Sequence, residues 1–291
     1  MTDISNTTGL LEACFKYFVL GVVQGLTEFL PISSTAHLKV VPMLIGWSDP
    51  GVSASAVIQL GSVLAVTTYF RNDLKEMLKG IKLGIKNGQW KEESARLGIA
   101  IFTGTIPILL TGMLIKLFWN GFENSIFRSI PFIAIISILM AILLALAERF
   151  GKKKKTLEKV SGKDGLIIGM GQLFAILPGV SRSGVTLTTA MLYGWKRGEA
   201  ARFSFLLGLP AITFAGLSEL KSTLHGPLQS SNEILPLMIG IFSSTVVSWL
   251  VIDWFLKYLQ KNNTWIFVAY RLFFGLTLMI WWLEMPTNSI K

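Results

Sequence analysis

The stretch Gln24-Gly25-Leu26-Thr27-Glu28-Phe29-Leu30-Pro31-Ile32-Ser33-Ser34-Thr35-Ala36-His37 lies in the middle of an otherwise apolar run, Phe15–Trp47, and decides how the chain folds. Gln24 and Glu28 are four apart, so they share one face of a helix. Pro31 ends that helix, and Ser33, Ser34, Thr35 and His37 follow before the apolar run resumes. A helix broken in contact with lipid would leave backbone groups without partners. The segment therefore predicts a re-entrant hairpin buried among other helices rather than a crossing.

A second interrupted run, Gly165–Trp195, carries Leu177-Pro178-Gly179-Val180-Ser181-Arg182-Ser183-Gly184-Val185-Thr186 at its centre and predicts a second hairpin. Between and after the two lie uninterrupted apolar runs long enough to cross a hydrocarbon core of about 30 Å. They are Val52–Phe70, Leu97–Phe118, Pro131–Ala147, Phe203–Leu220, Leu235–Leu256 and Trp265–Leu283, with Pro107 and Pro210 as candidate kinks. The expected fold is an all-α polytopic membrane protein: six transmembrane helices plus two re-entrant hairpins.

Composition agrees. The 291 residues are 52% hydrophobic and only 15% charged, outside the range of a soluble globular domain. The net charge of +10 does not mark a nucleic-acid partner. The basic residues crowd into Arg71–Arg96, 148–164, Lys196–Arg202 and Lys257–Lys261, short segments that six crossings place on one side. That side is expected to be the cytoplasm, with both chain ends outside. Within the first basic segment Leu74, Met77, Leu78, Ile81 and Ile85 share a helical face, as in a solvated or interfacial amphipathic helix. Cys14 is the only cysteine, so no internal disulfide can form. With Asp3 and Glu12 ahead of its first apolar run, the N-terminus does not read as a cleaved signal peptide.

The two halves echo each other. Leu30-Pro31 and Ser34 match Leu177-Pro178 and Ser181 at one offset, as Leu60-Gly61 match Leu207-Gly208. An offset longer by one aligns Gly21, Gln24, Gly46 and Trp47 with Gly169, Gln172, Gly194 and Trp195. One hairpin and three crossings per half imply an inverted-topology repeat: residues 1–147, a basic linker over 148–164, and residues 165–291. Its binding site is expected where the hairpins meet.

The chemistry available there is specific. Glu28 and His37 are ionisable groups at membrane depth, functional candidates unless Glu28 merely caps the break and the serines satisfy backbone amides. Arg182 offers a planar fork suited to phosphate, with a helix start among small polar residues. Ser33, Thr35, Ser181, Ser183, Gly184 and Thr186 are the candidate substrate-binding donors. Glu28 with the Gln24 carbonyl can hold a hard divalent cation, Mg²⁺ or Ca²⁺. Ser34 is the candidate nucleophile and His37, three residues on, its proton-transfer partner. That inventory suits phosphoryl-group hydrolysis.

Gln24–His37 and Pro178–Thr186 together resemble the two signature motifs of the undecaprenyl-diphosphate phosphatase family, whose members confer bacitracin resistance. The likeness extends to Gln59-Leu60-Gly61, Phe203-Ser204-Phe205-Leu206-Leu207 and Tyr270-Arg271. It implies metal-dependent removal of the terminal phosphate of a polyprenyl diphosphate lipid at the outer face of the cell membrane, with Glu28, Ser34, His37 and Arg182 as functional positions. It also allows for a homodimer. Gln24 stands where many members carry glutamate, and Ala36 where glycine is frequent.

Other residues invite simpler readings. Arg271, inside the last crossing, is either functional or paired with carbonyls of a broken helix. His225 reads as solvated. Lys39 reads as attracting the diphosphate or reaching for the interface, as Lys116 does. Trp265, Trp281 and Trp282 read as interfacial anchors. Two rivals compete with the hydrolase reading. A secondary transporter or flippase of an anionic lipid would share the inverted repeat. A phosphatidic-acid-type phosphatase would need a second histidine and an Arg-Pro element, and no Arg-Pro occurs.

Overall fold

The computed structural model describes residues 2–119, 121–122, 125–224 and 231–284. His225 and the chain end at Lys291 lie outside the described residues. In chain order the helices are α1 (Thr2–Glu28), α2 (Ser34–Leu44), α3 (Gly51–Tyr69), α4 (Arg71–Asn87), α5 (Glu93–Phe118), α6 (Ile130–Phe150), α7 (Gly162–Gln172), α8 (Arg182–Leu192), α9 (Arg197–Leu224), α10 (Ser231–Lys261) and α11 (Trp265–Glu284). Each expected crossing is one of them: α3, α5, α6, α9, α10 and α11. Pro107 and Pro210 lie inside helices that continue past them.

The first hairpin departs from expectation. Its leading helix α1 starts well before Phe15, and Gly9–Glu28 is itself long and apolar enough to cross a membrane. Seven helices, not six, meet that criterion among the described residues. Leu10 and Leu11 extend the apolar run upstream, and nothing interrupts the helix until Pro31. The chain still turns back. Trp47 meets Phe15 edge-on with ring centroids 6.1 Å apart, and Lys16 Nζ donates to Ser48 Oγ at 3.2 Å. Having returned to its starting level, the segment is a hairpin despite the length of its first arm.

The second hairpin, α7 and α8 with a 3₁₀ turn at Leu173–Ile176 between them, is strapped at its mouth by Lys155. The Lys155 ammonium pairs with Asp164 at 2.9 Å, and its backbone bridges to Trp195. The two mouths face opposite ends of the molecule. Helices α3 and α9 run antiparallel: Ser53 at the start of α3 donates to Glu219 late in α9 at 2.8 Å, while Arg202 early in α9 pairs with Asp73 just past α3.

Packing follows a twofold exchange. Helix α1 lies on α10 as α7 lies on α5, and α3 pairs with α9 as α6 does with α11. Equivalent glycines make the equivalent contacts: a Cβ on Gly21 would meet Gly240 O at 2.3 Å, and one on Gly169 would meet Gly104 O at 2.2 Å. The backbone also fixes the register of the repeat. Ser33 (φ 78°) and Ser181 (φ 71°) are matching N-caps, each accepting from the amide three residues on, and Gly46 matches Gly194 in positive φ. Ser33, not Ser34, is therefore the counterpart of Ser181. The offset defined by Gly21 and Trp47 thus holds on both sides of the break, and the shared Leu-Pro pairs fall one residue out of that register.

The basic loops converge at one end. Glu148, at the end of α6, binds Arg197 Nε at 2.8 Å, Lys153 Nζ at 2.7 Å and the Thr264 hydroxyl at 2.9 Å. Helix α4 lies against α5 there, but only part of its expected apolar face is covered. A Cβ on Gly80 would meet Ser94 and Ala95, and one on Gly98 would meet Ile81, so these small residues set the contact. Leu78 and Ile85 stay exposed beside the lysines.

Candidate active site

Pro31 lies just past the end of α1 and Pro178 just past the 3₁₀ turn that follows α7, and in each break a serine with positive φ restarts the chain as α2 or α8. Such a backbone costs a non-glycine residue about 1–3 kcal/mol and persists only where its surroundings over-determine it. Arg271 supplies that constraint. Fully buried on α11, it donates to Pro31 O at 3.1 Å, Val180 O at 3.2 Å, Gly179 O at 2.7 Å and Ser137 O at 3.2 Å. In the repeat register Pro31 and Gly179 are counterparts, so one guanidinium ties the same carbonyl of both breaks. The geometry gives Arg271 the structural role of the two open to it.

The tied breaks bring Glu28 to the meeting point of both halves. Its Oε2 accepts from Gln24 Nε2 at 2.8 Å and from Ser34 Oγ at 2.7 Å. Its Oε1 accepts from Gln59 Nε2 at 2.9 Å and from Arg182 Nη2 at 3.1 Å. Arg182 and Glu28 thus form an ion pair between the two hairpins. It does not exhaust Arg182: the guanidinium Nε is buried without a partner, and Nη1 reaches only Ser204 O at 3.5 Å. A buried donor left unpaired costs about 1–3 kcal/mol, and an arriving anion would recover it.

These groups line a cavity of about 190 Å³ whose polar wall is Glu28, Ser34, Thr35, Gln59, Ser181 and Arg182. The other expected binding donors are occupied with the hairpins themselves. Ser33 caps α2, and Ser183 donates to Glu28 O at 2.8 Å and Leu30 O at 3.1 Å. The Gly184 amide is taken by Ser181 Oγ at 3.0 Å. Thr186 bonds Arg182 O at 2.8 Å and the Ser204 hydroxyl. Their polar groups hold the shape of the site rather than line it. Lys39 is drawn to Arg128 O, away from the cavity.

The expected Ser34–His37 pairing is not what the structure builds. His37 is buried, stacked on Phe274 with ring centroids 4.5 Å apart, and is not among the residues lining the cavity. Its Nδ1 lies 2.7 Å from Ser33 O, and a carbonyl can only accept, so the proton sits on Nδ1. Nε2 then accepts from the Tyr270 hydroxyl at 2.6 Å. With both nitrogens engaged, His37 fixes the turn that presents Ser34, and Ser34's own partner is Glu28. Gln59 and Tyr270 were missed as site residues. Gln59 left a trace, an amide in the middle of an apolar crossing; Tyr270 meets His37 only through the fold.

The donor set can be tested against a divalent cation. Among the described residues no group of three or more His, Cys, Asp or Glu converges. Glu28 is one carboxylate between two amides, Gln24 and Gln59, whose oxygen and nitrogen positions are set by the network and can exchange. One carboxylate with amide oxygens fits a hard cation that takes its remaining ligands from phosphate and water.

Residues 17–277 match the family model described as bacitracin resistance protein BacA. The chain belongs to the bacitracin resistance protein BacA family. It is similar to the protein named undecaprenyl-diphosphatase from Prochlorococcus marinus (strain MIT 9303), at 62% identity over 99% of this chain and 98% of that one. It is likewise similar to the protein of that name from Synechococcus sp. (strain WH7803), at 61% identity over 99% of this chain and 100% of that one. The match to the BacA family spans both helix breaks, Gln59 and Arg271, the whole of the site described above.

Proposed function

We propose that this multi-pass membrane protein hydrolyses undecaprenyl diphosphate to undecaprenyl phosphate and inorganic phosphate, returning the lipid carrier to cell-wall synthesis and conferring bacitracin resistance. The observation that carries the reading is one cavity holding a hydroxyl on a carboxylate and a guanidinium with an unspent donor. Full-length likeness to proteins named undecaprenyl-diphosphatase supports the lipid.

The diphosphate competes with Glu28 for Arg182, pairing with the fork that the carboxylate only half occupies. As Arg182 turns to the phosphate, Glu28 loses its positive partner and becomes the better base for the Ser34 proton 2.7 Å away. Ser34 Oγ attacks the terminal phosphorus, the bridging P–O bond breaks, and Glu28 returns the proton to the departing lipid monophosphate. Water then cleaves the phosphoserine, releasing phosphate and restoring the hydroxyl. Arg182 faces the charge of the transferring phosphoryl group throughout. A divalent cation held by Glu28 with Gln24 and Gln59 would add electrophilic charge to the same oxygens. Purified protein in detergent, given undecaprenyl diphosphate and Mg²⁺ or Ca²⁺, should yield monophosphate and phosphate in equal amounts, and excess chelator should stop it. Intact lipid after incubation would refute the activity, and full turnover in chelator would remove the metal.

The basic end of the molecule is assigned to the cytoplasm, which places the mouth of the first hairpin, beside Ser48, at the outer face of the cell membrane. On this reading the site takes its substrate from the outer leaflet. In a Cys14→Ser background, Ile126→Cys at the outer end should react with an impermeant thiol reagent in intact cells, and Lys154→Cys should not. The reverse pattern would invert the topology.

A further inference from the structure

The phosphate cavity is too small for its lipid. At about 190 Å³ it falls below the range of about 300–1,000 Å³ typical of pockets that enclose drug-sized ligands, so a polyprenyl chain must leave it. The rest of the lining is wholly apolar: Ile108 of α5, Ala175 and Ile176 before α8, and Ala211, Ile212 and Ala215 of α9. The polar and apolar parts belong to one continuous cavity.

Helix α9 shows where that cavity opens. Gly208 lies directly beneath the Arg182 guanidinium, so close that a Cβ there would overlap it. Ala211 and Ala215 follow on the same face at helical spacing. Exposure rises along this line: Gly208 is buried, Ala211 is half-buried and Ala215 is exposed. Phe214 next to it is 64% exposed, and Phe174, next to Ala175, is 60% exposed. Small side chains thus lead from the guanidinium outward, and large apolar ones stand in the open beyond.

Building on the hydrolase reading above, the geometry points to the α5–α9 seam as the lateral portal for the isoprenoid tail. The first isoprene units lie against Ala211, Ile212 and Ile108, and the rest of the chain passes Ala215 into the bilayer. The occupant is the substrate's own tail, because the seam is continuous with the site that holds its diphosphate. Contacts along the seam, made with a flexible apolar chain, raise affinity for long prenyl diphosphates over short ones.

The test compares kcat/KM for undecaprenyl and geranyl diphosphate in the wild type and in Ala215→Phe, with size-exclusion behaviour as the check on folding. The loss on the undecaprenyl substrate should exceed that on the geranyl one by on the order of tenfold. Equal losses on both, or no loss on either, would overturn the portal, whereas a wild type inactive on both would instead refute the hydrolase reading. A photoreactive undecaprenyl diphosphate analogue, with its diazirine on the first isoprene unit, provides a second readout that needs no variant. It should label the segments around Ile108 and Ala211; label confined to α1 and α10 would overturn the proposal.

Discussion

Arg182→Lys should lower turnover of undecaprenyl diphosphate by about a hundredfold, roughly 2.7 kcal/mol of transition-state stabilisation, while the protein stays folded. Lysine keeps the charge but not the fork. Arg182 reaches Glu28 with Nη2 at 3.1 Å while Nε, on the same edge of the fork, is buried without a partner, so the carboxylate leaves a donor of that edge unused. An ammonium can take Glu28's place for the phosphate as a point charge but cannot offer it the paired, coplanar donors of the fork. Because Arg182 is nine-tenths buried, removing its charge altogether should be worse, since Glu28 would be left without its cation in the membrane interior. Steady-state kinetics on detergent-purified protein measures the loss. Turnover of the lysine variant within a few-fold of wild type would reduce Arg182 to a general attractor of anions.

Arg271→Met should act on the fold before it acts on the chemistry. Methionine preserves much of the volume and removes every donor. The carbonyls of Pro31, Gly179 and Val180, which lie in the two breaks, would then be buried without the donor that now serves them. Each such loss costs about 1–3 kcal/mol, and the strained turns at Ser33 and Ser181 would lose the group that holds them. Expected outcomes are a large drop in the thermal midpoint of the solubilised protein and poor recovery from the membrane, with Arg271→Lys intermediate because some donors remain. A methionine variant with an unchanged midpoint but no activity would move Arg271 from the scaffold to the substrate.

Much of this was legible in the chain, for identifiable reasons. Hydropathy is a one-dimensional signal, so the six runs from Val52–Phe70 to Trp265–Leu283 each became a helix. Prolines at 31 and 178 marked the breaks, since a residue without an N–H cannot continue a helix ladder. Helix α1 extends upstream of Phe15, where polar residues such as Asn6, Thr7 and Thr8 mask the apolar run without breaking the helix. The repeat register was ambiguous by one residue, since only backbone conformation separates Ser33 from Ser34 as the partner of Ser181. The pairing of His37 with Tyr270, 233 residues apart, left no mark in local pattern. Short sequence distance favoured Ser34 for His37, but α2 points the imidazole into the packing against Tyr270 and Phe274 and leaves Ser34 to Glu28. Polar residues near a break look alike in sequence. Only the fold shows that Ser183 and Thr186 are turned to backbone carbonyls away from the cavity, while Thr35 lines it and Ser181 lines it as well as capping α8.

The central claim is that Ser34, set on Glu28 and faced by Arg182, takes the terminal phosphoryl group. Rapid quenching of wild type and Ser34→Ala with undecaprenyl diphosphate radiolabelled at the terminal phosphate tests it most directly. The account predicts an acid-stable phosphoserine at Ser34 that forms and decays during turnover, and a Ser34→Ala variant with neither label nor appreciable phosphate release. Label-free turnover by Ser34→Ala above about a tenth of the wild-type rate, a loss of less than about 1.4 kcal/mol, would contradict it and leave Ser34 a binding hydroxyl.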